Sequence, residues 1–351
     1  MVSAALLARV LAVEGVLFAG TLVLFCGHGL WSWWYGRRTR PLLSRAREIV
    51  TTTLEEPFLQ GVELQRLRAL RPRLQIQVFF DVAPNFSGPH YQRLAVLARE
   101  LGLPARADAC CRSRRWWRRL QGARLFSLFG GGEEVVPSLF HDRNAVVRAQ
   151  AAEWAAGHPS GVVIATLLSL LDDPDGLCRF TAQDSLLRIG GPVIEPLARY
   201  LADPSQPQME AALRVAVGLA DPRFLPPALR LCRHQSPQVR VLAASLLGML
   251  GGERGVEVLT ELLGDSMPEV RAAAARALGK LAHWPAAATL ATLLRDRAWD
   301  VRREAGLALR ALGAPGTLLL RRSLAHADPF TVDMARQILD LPEPAGPTWA
   351  L

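Results

Sequence analysis

Apolar and polar positions repeat with a fixed period along residues 236–328. Three consecutive segments align, and their shared arginines, Arg240, Arg271 and Arg302, stand 31 residues apart. The same step, with one gap of 30, reaches four more positions: Arg148, Arg179, Glu210 and Asp333. A repeat of this length is typical of a solenoid, in which each structural unit packs only on its neighbours.

Each unit is predicted to form a helix A, a turn with Gly or Pro, and a helix B. We call the seven aligned positions pivot positions. Three residues after the first six of them, helix A carries a small or apolar side chain, which predicts a seam between successive A helices: Ala151, Ala182, Leu213, Ala243, Ala274 and Ala305. Helix B has larger apolar residues four positions apart, which places them on one face. They form two columns: Leu167, Leu197, Ala228, Leu259, Leu290 and Leu320, then Leu171, Leu201, Cys232, Leu263, Leu294 and Leu324.

In all repeats but one, an acidic residue lies between helix B and the next pivot position. These residues are Asp142, Asp173, Asp203, Asp265, Asp296 and Asp328. A carboxylate there can accept hydrogen bonds from the free N–H groups that start the next helix. It can also pair with a pivot arginine of the adjacent repeat. We therefore predict a structural ladder of Asp–Arg pairs rather than a row of catalytic carboxylates.

The segment DSMPEVRAAAARAL, residues 265–278, resembles the short HEAT-like repeats of the phycobilisome-lyase type. The resemblance covers residues 142–341 and, in degenerate form, 112–141. It implies an all-α fold, an α-solenoid of about seven to eight HEAT-like helical hairpins. Such repeats occur in scaffolds, lyases and hydroxylases, so the resemblance leaves the function open.

The first 36 residues differ from the repeats. Residues 15–35 carry no formal charge, and 21 helical residues span about 31 Å, the thickness of a bilayer's hydrocarbon core. Trp and Tyr residues cluster near the end of this stretch, and arginines follow from Arg37 onward. We predict that residues 1–36 form a single transmembrane helix in the inner membrane, with the solenoid in the cytoplasm. A cleaved signal peptide is the alternative, but the basic residues that should begin one are missing.

Residues 37–111 do not keep the period and carry most of the positive charge. Residues 37–124 contain 18 Arg and 7 acidic residues, whereas residues 125–351 are close to neutral. We predict a basic juxtamembrane helical segment or a cap of the solenoid, with QIQVFF at 75–80 as helix rather than strand. The solenoid then spans 112–341, and the Pro-rich tail 342–351 is predicted to be disordered.

Two tryptophans with a pair of arginines on either side lie just before the regular repeats. The cluster consists of Arg114, Arg115, Trp116, Trp117, Arg118 and Arg119. Indole rings enter membrane interfaces while guanidinium groups meet phosphates, so the cluster predicts contact with an anionic lipid surface. The alternative is that Trp116 and Trp117 plug the end of the solenoid.

No pattern indicates catalysis or a cofactor. Deoxyhypusine hydroxylases, which share such repeats, bind iron through His-Glu dipeptides, but none of the seven histidines here precedes Glu. Bilin lyases are soluble, unlike the predicted membrane-anchored chain. The neutral repeats disfavour nucleic acid as a partner. We therefore predict no catalytic, cofactor-binding or metal-ligating residues, and keep a divergent lyase-like or hydroxylase-like enzyme and a nucleic-acid-binding solenoid as alternatives.

A polar column runs beside the apolar columns of helix B. It consists of Ser169, Arg199, Arg230, Glu261, Thr292 and Arg322. In HEAT-like solenoids the B helices line the concave face, so this column predicts an interaction face, although a solvated face has the same pattern. The sequence thus predicts a membrane-anchored scaffold that holds or regulates another protein, with a membrane enzyme as one class of partner.

Overall fold

The computed structural model describes residues 4–55, 61–86, 88–203 and 205–342. Within these ranges the secondary structure is helical and contains no strand, which confirms the all-α prediction. The chain divides into two compact units. One comprises residues 1–112 and 124–132, and the other comprises residues 113–123 and 133–351.

Of the α-helices within the described residues, five lie in the first unit and a sixth has residues in both units. They are α1 Ala4–Glu55, α2 Gly61–Ala69, α3 Pro72–Val82, α4 Pro89–Glu100, α5 Leu103–Cys111 and the shared α6 Trp116–Phe129. The C-terminal half of α1 packs against α3 and α4 and buries Leu43, Ala46 and Val50. Residues 75–80 lie in α3, so the helix predicted for this alternating stretch is confirmed.

The predicted transmembrane helix is wrong. Residues 15–35 belong to α1, which continues without a break past Arg37 and Arg47 to Glu55. Among the described residues, none of the helices combines the length and the apolar character that crossing a membrane requires. The prediction relied on the absence of formal charge, but polar residues such as Thr21 and Ser32 and several glycines interrupt this stretch. The single-pass inner-membrane location and the membrane anchor that we predicted are corrected accordingly.

In the second unit the helices alternate between type A and type B. The A helices are α7 Ala145–Ala155, α9 Gly176–Ile189, α11 Met209–Leu219, α13 Pro237–Leu250, α15 Pro268–Lys280, α17 Trp299–Ala311 and α19 Pro329–Asp340. The B helices are α8 Gly161–Ser169, α10 Ile194–Ala202, α12 Leu225–Leu231, α14 Glu253–Leu262, α16 Ala287–Thr292 and α18 Ala314–Ser323. Ahead of α7, α6 stands in the position of an A helix and the short 3₁₀ helix Val136–His141 in the position of a B helix. Each A helix from α7 to α17 packs on the next A helix, as a solenoid requires.

The predicted apolar columns form the core of this unit. All six residues of the A-helix column are buried, and so are both B-helix columns apart from Leu324 in the last hairpin. Cys232 fills a leucine position, and burial raises the pKa of its thiol to about 12. One hairpin exposes this apolar face, and stacking covers it.

Close contacts between backbones give the A-helix seam its preference for small residues. A Cβ atom added to Gly279 of α15 would lie 2.7 Å from the Cα atom of Ala308 in α17. Gly248 meets Ala277 of the next repeat in the same way, at 2.6 Å from its Cβ atom. These contacts lie six and eight residues after the pivot arginines, and not at the predicted column three residues after them, which is buried in the same unit.

Replacing Gly279 by Ala should destabilise the second unit by about 1–3 kcal/mol, because the added methyl group overpacks the seam. Helix propensity alone would act in the opposite direction by about 1 kcal/mol. Urea unfolding measures the difference. The control is Gly161→Ala at the start of α8, where an added Cβ meets no atom within 4 Å. A Gly279→Ala protein as stable as the parent would contradict this account of the seam.

Candidate interaction face

Asp–Arg pairs connect successive repeats, as the sequence predicts. In four of them the Nε and Nη2 atoms of the pivot arginine donate to both carboxylate oxygens of the next repeat, at 2.5–2.9 Å. The four pairs, called rungs below, are Arg119–Asp142, Arg148–Asp173, Arg240–Asp265 and Arg271–Asp296. The Nη1 atom of each arginine donates to two carbonyls of the turn before its own helix. A rung therefore fixes the turns of two neighbouring repeats.

The carboxylates of the rungs stay ionised. Burial alone would raise the pKa of Asp296, but hydrogen bonds from Arg271 and from the N–H of Ala298, together with the charge on Arg271, hold it below its usual range. For Asp173 the hydrogen bond from Arg148 is the largest influence and also lowers the pKa. Paired ions with these hydrogen bonds stabilise structure and provide no proton for chemistry at neutral pH.

The ladder is interrupted at two predicted positions. Asp203 accepts hydrogen bonds from Ser205 and Gln206 instead of an arginine. Asp328 caps α19 by accepting from the N–H of Thr331. In two turns a histidine, His234 or His326, replaces the ladder aspartate. Its Nδ1 atom accepts a hydrogen bond from the backbone N–H two residues later, as the carboxylates of the rung aspartates do. His234 lies one 31-residue step before Asp265, and both histidines were missed because only acidic residues were considered for the ladder.

The six residues of the predicted polar column all lie at or near the C-terminal ends of the B helices, and all six are exposed. They are Ser169, Arg199, Arg230, Glu261, Thr292 and Arg322. Arg199 pairs with Glu195 one turn earlier in α10, at 3.3 Å. Glu261 of α14 pairs with Arg233 from the turn after α12, also at 3.3 Å. The column is thus a continuous series of exposed side chains across successive repeats.

A cavity opens within this column at the interrupted part of the ladder. It has a volume of about 540 Å³ and lies between the end of α10 and the turn after α12. Arg230, Arg233 and His234 line it together with Leu201 and Leu231. The N–H of Ser236 donates to Nδ1 of His234, so the neutral ring carries its proton on Nε2. The polar groups here are therefore mostly hydrogen-bond donors.

An acidic ridge that our sequence reasoning missed lies on α14. Glu253, Glu257 and Glu261 are all exposed and four residues apart, which places them on one side of the helix. Glu253, Glu257 and Glu261 also line a second cavity with His283. The spacing of these three glutamates was visible in the sequence, but the column contained only Glu261.

The predicted membrane-surface cluster does not act as one group. Arg119 is turned away into a rung with Asp142, whereas Arg114, Arg115, Trp116, Trp117 and Arg118 are exposed. The guanidinium carbon of Arg115 lies 5.1 Å from the centroid of the Trp117 ring. Contact of this cluster with anionic lipid stays a prediction.

The described residues contain no group of three or more His, Cys, Asp or Glu side chains that could hold a metal ion. The expected absence of bound iron or zinc stays a prediction. Cys111 of the vicinal pair Cys110–Cys111 is buried, and burial raises the pKa of its thiol to about 12. A thiol with this pKa is a weak nucleophile at neutral pH.

Comparison with protein families identifies the repeats. The family model for HEAT repeats matches residues 133–218 and 257–339, so both segments are HEAT repeats, as the resemblance implied. The stretch between the two matches contains His234 and most of the residues that line the cavity beside it. No curated protein matches the chain in sequence.

Among the similar solved structures, importin beta supports the helical-repeat fold. The chain is 14% identical to importin beta with a TM-score of 0.53, over 80% of this chain and 46% of importin beta. The chain thus spans about half the length of that protein. The complex of CpcE and CpcF of phycocyanin lyase from Nostoc sp. PCC7120 gives 19% identity and a TM-score of 0.32, over 68% of this chain and 93% of that chain. Human deoxyhypusine hydroxylase gives 18% identity and a TM-score of 0.29, over 86% of this chain and 97% of that chain.

Proposed function

We propose that this chain of HEAT repeats is a protein-binding scaffold that holds its partner on the face formed by the B helices. The observation that carries the proposal is the unbroken exposure of the polar column, with Arg230 at the cavity between α10 and α12. Repeat proteins bind along such extended surfaces, because every repeat adds a few side chains to one face.

Arg230 is the centre of the proposed interface. No carboxylate within the described part of the chain forms an ion pair with it, whereas the rung arginines are satisfied within the fold. An arginine at the edge of an apolar cavity is the kind of side chain that contributes most to protein interfaces. A partner carboxylate placed against Arg230 and His234 would form charge-assisted hydrogen bonds.

The charges of the face change sign within one repeat. Arg199, Arg230 and Arg233 are followed by the acidic ridge of α14, and Arg321 and Arg322 come two hairpins later. Such a pattern favours a partner segment with an acidic part opposite α12 and a basic part opposite α14. Like charges in register would disfavour other partners.

Photo-crosslinking tests this function. A photoreactive residue in place of Thr292, exposed on helix B, should crosslink one specific protein when the full chain is expressed in its native cells. The same photoreactive residue in place of Asp184, which is exposed on the A helix α9, should not crosslink that protein. Equal crosslinking to that protein from both positions would contradict the B-helix face.

Charge reversal provides the second measurement. Arg230→Glu with Arg233→Glu should weaken binding of the crosslinked protein by about 30-fold or more, since hot-spot residues contribute about 2 kcal/mol or more each. The control is Arg188→Glu on α9, an exposed arginine that pairs only with Asp184 one turn away. Circular dichroism checks that each variant remains helical.

A further inference from the structure

A third cavity, of about 600 Å³, lies at the start of the regular repeats, apart from the polar column. The short 3₁₀ helix Val136–His141, the end of α7 and the first turns of α8 form it. Its walls are largely apolar and include Pro137, Phe140 and Val163. Glu133 and His158 line the same cavity, as do three further polar side chains, His141, Ser160 and Thr166.

The imidazole of His158 is held in one orientation. Its ring stacks on Trp154, with centroids 4.2 Å apart and planes 11° apart, and Trp154 is only 2% exposed. Its Nδ1 atom lies 3.0 Å from the backbone carbonyl oxygen of Trp154. Because a carbonyl only accepts hydrogen bonds, Nδ1 carries the proton, and Nε2 of the neutral ring is an acceptor.

This acceptor faces a second acceptor. The Nε2 atom of His158 lies 3.7 Å from Oε1 of Glu133, which is too long for a direct hydrogen bond. The Glu133 side chain is 67% exposed, so the pair lies where solvent and ligands reach it. A single donor nitrogen placed about 2.9 Å from both atoms would bridge the gap.

From this geometry we infer that the cavity binds an alkylammonium group, with the nitrogen between His158 and Glu133 and the alkyl chain along the apolar walls. An ammonium is a compact donor with three N–H groups on a flexible apolar stem. It can satisfy both acceptors at once, whereas the planar fork of a guanidinium suits the two oxygens of one carboxylate. The cavity is large enough for the stem, and the inference is independent of the B-helix partner.

The ammonium group could belong to a lysine side chain or to a free amine. The test therefore uses two probes with the full chain at pH 8, where an ordinary imidazole is neutral. One is n-butylammonium chloride, and the other is lysine blocked at both its amino and carboxyl ends. Calorimetry should show saturable binding, and the imidazole signals of His158 should shift in NMR spectra. Comparable or tighter binding of the blocked lysine identifies a protein side chain as the source, and binding of butylammonium alone identifies a free amine.

Three variants examine the two acceptors. Glu133→Gln should weaken butylammonium binding by about tenfold or more, since it removes the charge from one hydrogen bond. His158→Phe retains a ring on Trp154 but lacks Nε2, and it should weaken binding by a similar factor. The matched control is Glu134→Gln, because Glu134 is an exposed neighbour that does not line the cavity.

Any of three results would overturn the inference. One is that n-butanol binds as tightly as butylammonium, which would mean that only the apolar walls contribute. Another is that Glu133→Gln binds butylammonium as the parent does. The third is a set of NMR spectra at pH 8 that show a protonated His158 paired directly with Glu133 and that do not change when the probe is added.

Discussion

Replacing Asp296 by Ala should lower the free energy of unfolding of the repeat unit by about 3–5 kcal/mol. The substitution leaves the guanidinium of Arg271 without its partner, and the two side chains are only 17% and 9% exposed. It also removes the acceptor for the N–H of Ala298. Urea unfolding of the variant and the parent measures the loss. Replacing Arg271 by Met and Asp296 by Leu together should cost much less, since no buried charge is left alone.

The interrupted ladder supplies the control for this experiment. Asp203 stands at the equivalent turn but has no arginine partner within the described residues, so Asp203→Ala should cost less than about 1 kcal/mol. Equal losses at Asp296 and Asp203 would mean that the turn, and not the ion pair, provides the stability.

Acid unfolding tests the Arg271–Asp296 rung in a second way. The folded-state pKa of Asp296 lies below its usual value, about 3.9 in an unfolded chain. The stabilisation is therefore fully present above that value and is lost as the pH falls through the lower, folded-state pKa. Between neutral pH and about pH 3, Asp296→Ala should lose less stability than the parent does.

The helices, the buried columns and most of the ladder could be predicted from the sequence, because each depends on spacing within one repeat. Leu259 and Leu290 are buried for the same reason, one period apart. His234 stands one period before Asp265, but its place in the ladder was not recognised, since it is not acidic and its role depends on a hydrogen bond from Ser236. The transmembrane prediction failed because it considered charge without the polar residues and glycines of the same stretch.

The candidate sites were harder to predict than the fold. The exposure of Arg230 follows from helical periodicity, but the cavity beside it depends on the turn that holds His234. Glu133 and His158 are 25 residues apart with no shared motif, and they meet only because the 3₁₀ helix and the end of α7 adjoin. A pair of this kind is a property of packing between repeats, which the period of the sequence does not encode.

Replacing Leu263 by Ala should destabilise the repeat unit by about 2–5 kcal/mol, through lost transfer free energy and the cavity left behind. Leu263 follows α14 and is only 3% exposed. In a stack where each repeat contacts only its neighbours, the damage should be local. Hydrogen exchange should therefore accelerate most in α13–α16 and least in α7 and α8. The control is Leu318→Ala in α18, where the side chain is 52% exposed and the expected loss is within about 0.5 kcal/mol. Uniform acceleration across all repeats would show that the unit unfolds as one block and that the nearest-neighbour description is wrong.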